Sequence, residues 1–207
     1  TPVDPNSTNP YQLTEADRTV IGNTTPKFSG GFGLNATYKG FDMSMFFNFM
    51  YDFDVLNANK IMLTTWADNK ENNFLMNIAS DKRWRNFDDM GNEIRYSPEV
   101  LAEFNKNATM WNPTSIGRPI CMSYAVEDGS FLRLNSATLG YTLPSVWTKK
   151  VGLSKVRFYV SGNNLFTLTG YSGYDPEVNI ATGLTPNIDY NRYPRSRTYT
   201  FGAQLTF

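Results

Sequence analysis

Trp66, Trp84 and Trp111 fall in one long polar stretch with Asp68, Asn69, Arg83, Arg85 and Tyr96. Flat indole and phenol faces stack on sugar rings, and Asp, Asn and Arg hydrogen-bond hydroxyls, so this set suits capture of a carbohydrate. The same aromatics also suit a small core within the stretch, and both readings stand at this point. Asp175-Pro176-Glu177 with Asp189 offers the hard oxygens that calcium takes. Their spacing fits no calcium loop and reads instead as a turn held by Pro176. Asp42 and Asp52 flank an apolar run with no identifiable partner for acid–base work. The chain has no His, which removes the usual general base, the usual metal ligand and the His-activated nucleophiles. Its single Cys121 cannot form an internal disulfide and is expected to be a small half-buried residue. No catalytic, cofactor or metal constellation emerges, and the chain is not expected to be an enzyme.

The 207 residues suffice for one domain with a sizeable core. Formal net charge is zero, so no nucleic-acid partner is expected. Only 18% of residues are charged while 15% are aromatic, which leaves much apolar surface to place in a core or against lipid. No apolar run is long enough for a membrane-spanning helix.

The elements that must carry these residues read as strands. Phe28–Tyr38 and Phe41–Tyr51 each alternate apolar and polar residues, and Lys39-Gly40 between them is a tight-turn signal; together they predict a β-hairpin. Further strands are predicted at 131–143, 155–166 and 197–207. The last places Tyr199, Phe201, Ala203, Leu205 and Phe207 on one face. Between them lie long polar loops at about 1–27, 52–129 and 167–196. Within 52–129, short helices are expected at Val55–Trp66, Phe74–Trp84 and Pro98–Asn107, the last capped by Ser97 with Pro98 in the first turn.

Short connections at 39–40 and 144–154 alternate with the long loops, so all long loops fall at one end of an up-and-down sheet. That is the layout of outer-membrane barrels, with short turns periplasmic. Tyr38, Phe41, Tyr51, Tyr141 and Phe207 stand near strand ends, as an aromatic girdle requires. A membrane barrel must close, and about eight strands is the smallest single-chain size. About five strands therefore predict an all-β piece of a larger transmembrane antiparallel β-barrel, its last strand ending on the periplasmic side. The alternatives are a soluble all-β carbohydrate-binding module, or an outer-membrane barrel that does not transport.

Longer motifs narrow the choice. Asp128-Gly129-Ser130-Phe131-Leu132-Arg133-Leu134, Thr138-Leu139-Gly140-Tyr141-Thr142-Leu143-Pro144 and Val156–Phe166 resemble the C-terminal region of the SusC/RagA family of TonB-dependent outer-membrane transporters. So do Tyr171-Ser172-Gly173-Tyr174-Asp175-Pro176-Glu177 and the ending Tyr193–Phe207, while Ile21-Gly22-Asn23 with Pro26-Lys27-Phe28 and Tyr38–Phe41 resembles its earlier hairpin. The resemblance implies the C-terminal strands of a 22-stranded barrel closed by a plug, of which the plug and the N-terminal part are not in this chain. It also implies a SusD-like surface lipoprotein as a lid, a TonB complex acting through the plug, and import of oligosaccharides or peptides in Bacteroidota. Expected substrate or lid contacts are Trp66, Asp68, Asn69, Trp84, Arg85, Tyr96 and Trp111. Tyr199, Phe201, Leu205 and the terminal Phe207 are expected to form the outer-membrane assembly signal.

Overall fold

The computed structural model describes residues 18–65, 75–78, 82–113, 121–178 and 186–207. In chain order the elements are β1 (Phe28–Tyr38), β2 (Phe41–Tyr51), β3 (Asp54–Asn57), α1 (Ala58–Met62), α2 (Pro98–Asn105) and β4 (Val126–Asp128). They continue with β5 (Phe131–Thr142), α3 (Ser145–Thr148), β6 (Lys155–Thr169), β7 (Ile188–Asp189) and β8 (Thr198–Thr206). The main sheet has five strands in the order β1-β2-β5-β6-β8, every pair antiparallel. A second sheet, β4-β3-β7, sits in the loops, with β3 and β7 parallel.

The period-two pattern explains the main sheet. Phe32 pairs with Phe47, Leu34 with Met45, Met43 with Leu139, Leu139 with Val160, and Val160 with Phe201, so one face is apolar across all five strands. Phe32 and Phe47 stack with ring centres 4.9 Å apart. The opposite face carries Asn35, Ser44, Thr138, Ser161 and Thr200 in the matching registers. The Lys39-Gly40 turn takes positive φ at both residues, 46° and 89°, the twist a two-residue hairpin needs. Asn164, at φ 53°, lies in the irregular stretch where β6 slips against β5 between the Leu134 and Ser136 registers. Past it the ladder resumes, so β6 runs to Thr169 rather than ending at Phe166.

Both faces of β1 are open to their surroundings along its whole length. Most of β8 is too. Among the described residues each of these strands pairs on one side only. The core is instead at one end of the sheet, where Phe53, Val55, Phe131, Tyr171 and Val178 are buried together.

The loops differ from expectation in four places. Val55 and Leu56 are strand, not helix, because they pair with β4 and, at Leu56, with β7; the helix is only α1. Within 74–84 the described structure is a single 3-10 turn at 76–78 and a β-bridge from Arg83 to Met110. α2 begins at Pro98 as expected, but the Ser97 side chain makes no capping hydrogen bond. Cys121 is exposed rather than half-buried. Among the described residues no helix is long and apolar enough to cross a membrane, which says nothing of strands that cross one.

Candidate functional site

The candidate site is the loop end of the sheet, which divides into a base and a lobe. The base gathers five separate stretches. Asn23 accepts the amide of Asp54, and its own amide donates to the Asp54 carboxylate at 2.6 Å. The Asn187 side chain donates to the Thr24 carbonyl at 2.7 Å, and the Leu56 amide donates to the Asn187 carbonyl. Glu127 accepts from the Ser172 hydroxyl and amide and from Asn57, and pairs with Lys60 at 3.1 Å. Asp189 accepts the Tyr171 hydroxyl at 2.6 Å, and Asn59 joins Asp189 to the amide of Asn191.

Beneath this net Arg133 rises from β5 and is 2% exposed. It pairs with Asp175 at 2.5 Å and approaches Glu177 at 3.7 Å, while Arg195 holds the other oxygen of Glu177 at 2.8 Å. The Glu177 amide donates to Asp175 in turn. Two of the three carboxylates that could have bound calcium are therefore neutralised by arginines, and Asp189 faces a tyrosine and an asparagine. Burial pushes the Asp175 carboxyl up, but the Arg133 hydrogen bond, the Glu177 amide and the charges of Arg133 and Arg195 outweigh it and hold the group below its usual value. Glu127 is likewise pushed up by burial and held lower by its Ser172, Lys60 and Asn57 partners. Burial raises the Tyr171 hydroxyl, and its bond to Asp189 raises it further, so it stays a donor.

The lobe is residues 82–113. Its α2 holds Asn105, whose side chain mimics a strand partner. Its oxygen accepts the Arg85 amide at 2.6 Å, and its nitrogen donates to the Arg85 and Leu101 carbonyls, each at 2.9 Å. The Trp84 amide donates to the Met110 carbonyl at 2.7 Å. Asp88 closes the adjoining turn by accepting the amides of Met90 and Asn92.

The expected contact residues thus separate. Trp84 and Tyr96 are exposed, and Arg95 lies over the Tyr96 ring. Arg85 reaches Asp89 at 2.7 Å and lies over Phe104. Trp111 instead packs inward: its Nε1 donates to the Thr64 carbonyl at 3.0 Å, and its ring meets Tyr124 edge-on at 5.0 Å. It ties the lobe to the segment that follows α1. Trp66, Asp68 and Asn69 lie outside the described residues. Tyr199, Phe201 and Leu205 share the apolar face of β8 and are exposed, and Phe207 follows the strand.

Sequence reasoning left Asp42 without a partner. On the polar face Arg157 of β6 reaches over β5 to hold it with two hydrogen bonds, at 2.9 and 2.5 Å. Gly140, which pairs with Asp42, makes the crossing possible: a Cβ there would collide with both charged groups. The available signal was three widely spaced residues on strands of matching parity.

No family model matches the sequence. The chain is similar to TonB-dependent receptor P3 of Formosa agariphila, 35% identical over 202 residues, covering 95% of this chain and 18% of that protein. It is 38% identical over 88 residues to TonB-dependent receptor SusC of Bacteroides thetaiotaomicron, covering 41% of this chain and 8% of that one. Among solved structures the RagAB peptide transporter superposes with a TM-score of 0.72 at 27% identity, covering 95% of this chain and 19% of the other. The chain thus spans about a fifth of the length of TonB-dependent receptor P3 and of the transporter chain it superposes on.

Proposed function

This chain belongs to the SusC/RagA family of TonB-dependent receptors, and from that premise we propose that it forms part of the wall of an outer-membrane importer. The observation that supports this best is a sheet with an apolar face left bare. Phe32, Leu34, Phe41, Leu139, Phe158 and Phe201 are exposed on it. A soluble domain covers such a face, whereas a barrel turns it to lipid. The opposite face, with its Ser, Thr and Asn residues and the Asp42–Arg157 pair, suits a wet lumen. The open edges of β1 and β8 would pair with further strands of the barrel, because an unpaired backbone group in lipid costs several kcal/mol.

In this reading the base and lobe are extracellular and the short connections periplasmic. The lobe and base lie under a SusD-like lipoprotein, and a TonB complex supplies energy through a plug elsewhere in the protein. The cargo is an oligosaccharide or a peptide, and of the expected contacts Trp84 and Tyr96 are exposed to meet it or the lid, with Arg85 half-buried beside them against Asp89 and Phe104. Trp111 serves from behind, as packing.

The wall is tested with the full receptor refolded into vesicles. Arg at Phe47, on the apolar face, should cost about 2–4 kcal/mol if it lies at mid-bilayer, and Arg at Ser44, on the polar face, much less. Equal costs for Phe47→Arg and Ser44→Arg would overturn the face assignment. Purification of the native complex from membranes should bring a lipoprotein with it; a receptor that always purifies alone would remove the lid from the proposal.

A further inference from the structure

The connector from Pro144 to Ser154, at the end of the sheet away from the base, has an arrangement that a simple turn does not need. α3 is followed by a 3-10 turn at Lys149–Val151, and Gly152 closes it at φ 76°. The unit is held at both ends: the Leu143 amide donates to the Val156 carbonyl, Leu153 to Thr148, and Ser154 to Thr206 of β8. Thr148 is buried. From this fixed turn Val146, Trp147 and Val151 project at 69%, 60% and 71% exposure. Lys149, Lys150 and Lys155 are exposed beside them, and no acidic residue occurs between Leu143 and Arg157. Lys39, in the β1–β2 turn, adds a fourth cation at the same end.

The connector leans toward the apolar face. Val156 belongs to that face, since it pairs with Leu205 and alternates with Phe158 and Val160. Phe158 and Leu205 are half exposed, yet Val156 is buried, at the end of β6 against which α3 packs. The three projecting apolar side chains therefore continue the apolar band where it stops, with lysines among them. Indole rings settle at the headgroup level of a bilayer, and lysines extend their ammonium groups to lipid phosphates.

We infer that the Pro144–Ser154 connector is an interfacial anchor: Val146, Trp147 and Val151 enter the acyl boundary of the periplasmic leaflet, and Lys149, Lys150 and Lys155 hold phospholipid phosphate. The inference rests on the wall reading above, and its test separates the two. The full receptor, with Cys121→Ser and any other cysteines removed, is spin-labelled singly at Phe47→Cys, Trp147→Cys, Lys150→Cys or Val151→Cys. It is then placed in vesicles of phosphatidylethanolamine and phosphatidylglycerol. Collision with oxygen and with a water-soluble nickel chelate reports depth.

The anchor predicts oxygen-dominated collisions at 147 and 151 and nickel access at 150. Nickel access at 147 and 151, with the label at 47 still in lipid, would overturn the anchor and leave the wall intact. Exclusion of both colliders at 147 would mean a protein covers the turn, and would also overturn the anchor. Nickel access at 47 would overturn the wall itself. Removing the lysines together (Lys149→Ser, Lys150→Ser, Lys155→Ser) should lower phosphatidylglycerol retained by the purified receptor, by about fivefold per lysine. Unchanged retention would remove the phosphate contact from the proposal.

Discussion

The base and the lobe both draw on the 52–129 segment, but they are held together by opposite means. The base is joined by residues far apart in sequence: Arg133 with Asp175, Asn57 with Glu127, and Leu56 with Ile188. Its charges are mostly buried, Arg133 against Asp175 and Asp189 against Tyr171 and Asn59. The lobe is joined within its own stretch: Asp88 with Asn92, Asn105 with Arg85, and Trp84 with Met110. Ile94, Met110 and Trp111 turn inward, but Trp84, Phe87, Met90 and Tyr96 stay exposed. Burying charge is tolerated only where it is fully partnered, and once so partnered it fixes one geometry. The difference separates the two regions: the base fixes the loops to the main sheet, and the lobe leaves aromatic side chains exposed.

The strongest way to break this comparison is to remove the buried cation. Arg133→Ala leaves Asp175 without its ion-pair partner in a buried setting, while Arg195 still holds Glu177, and such losses cost about 3–5 kcal/mol. Hydrogen exchange on the full receptor should show protection lost at β3 and β7 and retained at β1, β2 and the lobe. If the lobe loosens equally, base and lobe are one unit and the distinction fails.

Acid is the milder form of the same experiment. Asp175 and Glu127 sit below their ordinary values when folded, so what they contribute is complete above the unfolded value of about 4 and is lost as pH falls through the folded one. Exchange at β3 and β7, corrected for its intrinsic pH dependence, should be flat from neutral pH to about 5 and rise below about 4. Asp88 in the lobe is also held low, chiefly by the Asn92 side chain and amide. Protonating it opens only its own exposed turn. A base that loosens near neutral pH would show that these carboxylates do not secure it.

The local architecture of the lobe gives the third test. Asn105→Ala strands the amide and carbonyl of Arg85, a cost of about 1–3 kcal/mol. Exchange should rise at 84–86 and along α2 while β3 and β7 stay unchanged. A response in the base would reveal coupling through Trp111, which bonds to Thr64 and packs on Tyr124.

These contrasts also explain what the sequence made legible. The hairpin could be read because period-two alternation and the Lys39-Gly40 turn are local signals, and register then follows. α2 could be read because Pro98 marks its first turn. Val55 and Leu56 could not, since they are strand only by virtue of partners about seventy and a hundred and thirty residues away. The Arg133–Asp175 pair was hidden for the same reason: each residue stood in a recognised motif, but nothing local joined them. Trp84 and Trp111 looked equivalent as residue types. Only the fold turns one outward and gives the other a buried carbonyl.

That last separation yields the smallest expected change in stability and the sharpest functional one. Trp84 is 41% exposed and its structural bond is made by its backbone, which alanine retains. Trp84→Ala should therefore leave unfolding within about 0.5 kcal/mol of the parent. If the lobe presents a binding surface, the same change should weaken capture of cargo or lid by the full receptor, because exposed aromatics at such surfaces carry a large share of the affinity. Trp111→Phe should do the reverse, lowering the stability of the lobe's attachment by about 1 kcal/mol while sparing any direct contact. Titrating oligosaccharide, peptide and lipoprotein against both variants decides the matter. Loss of binding in Trp111→Phe with none in Trp84→Ala would mean that the lobe acts by its position rather than by its exposed face.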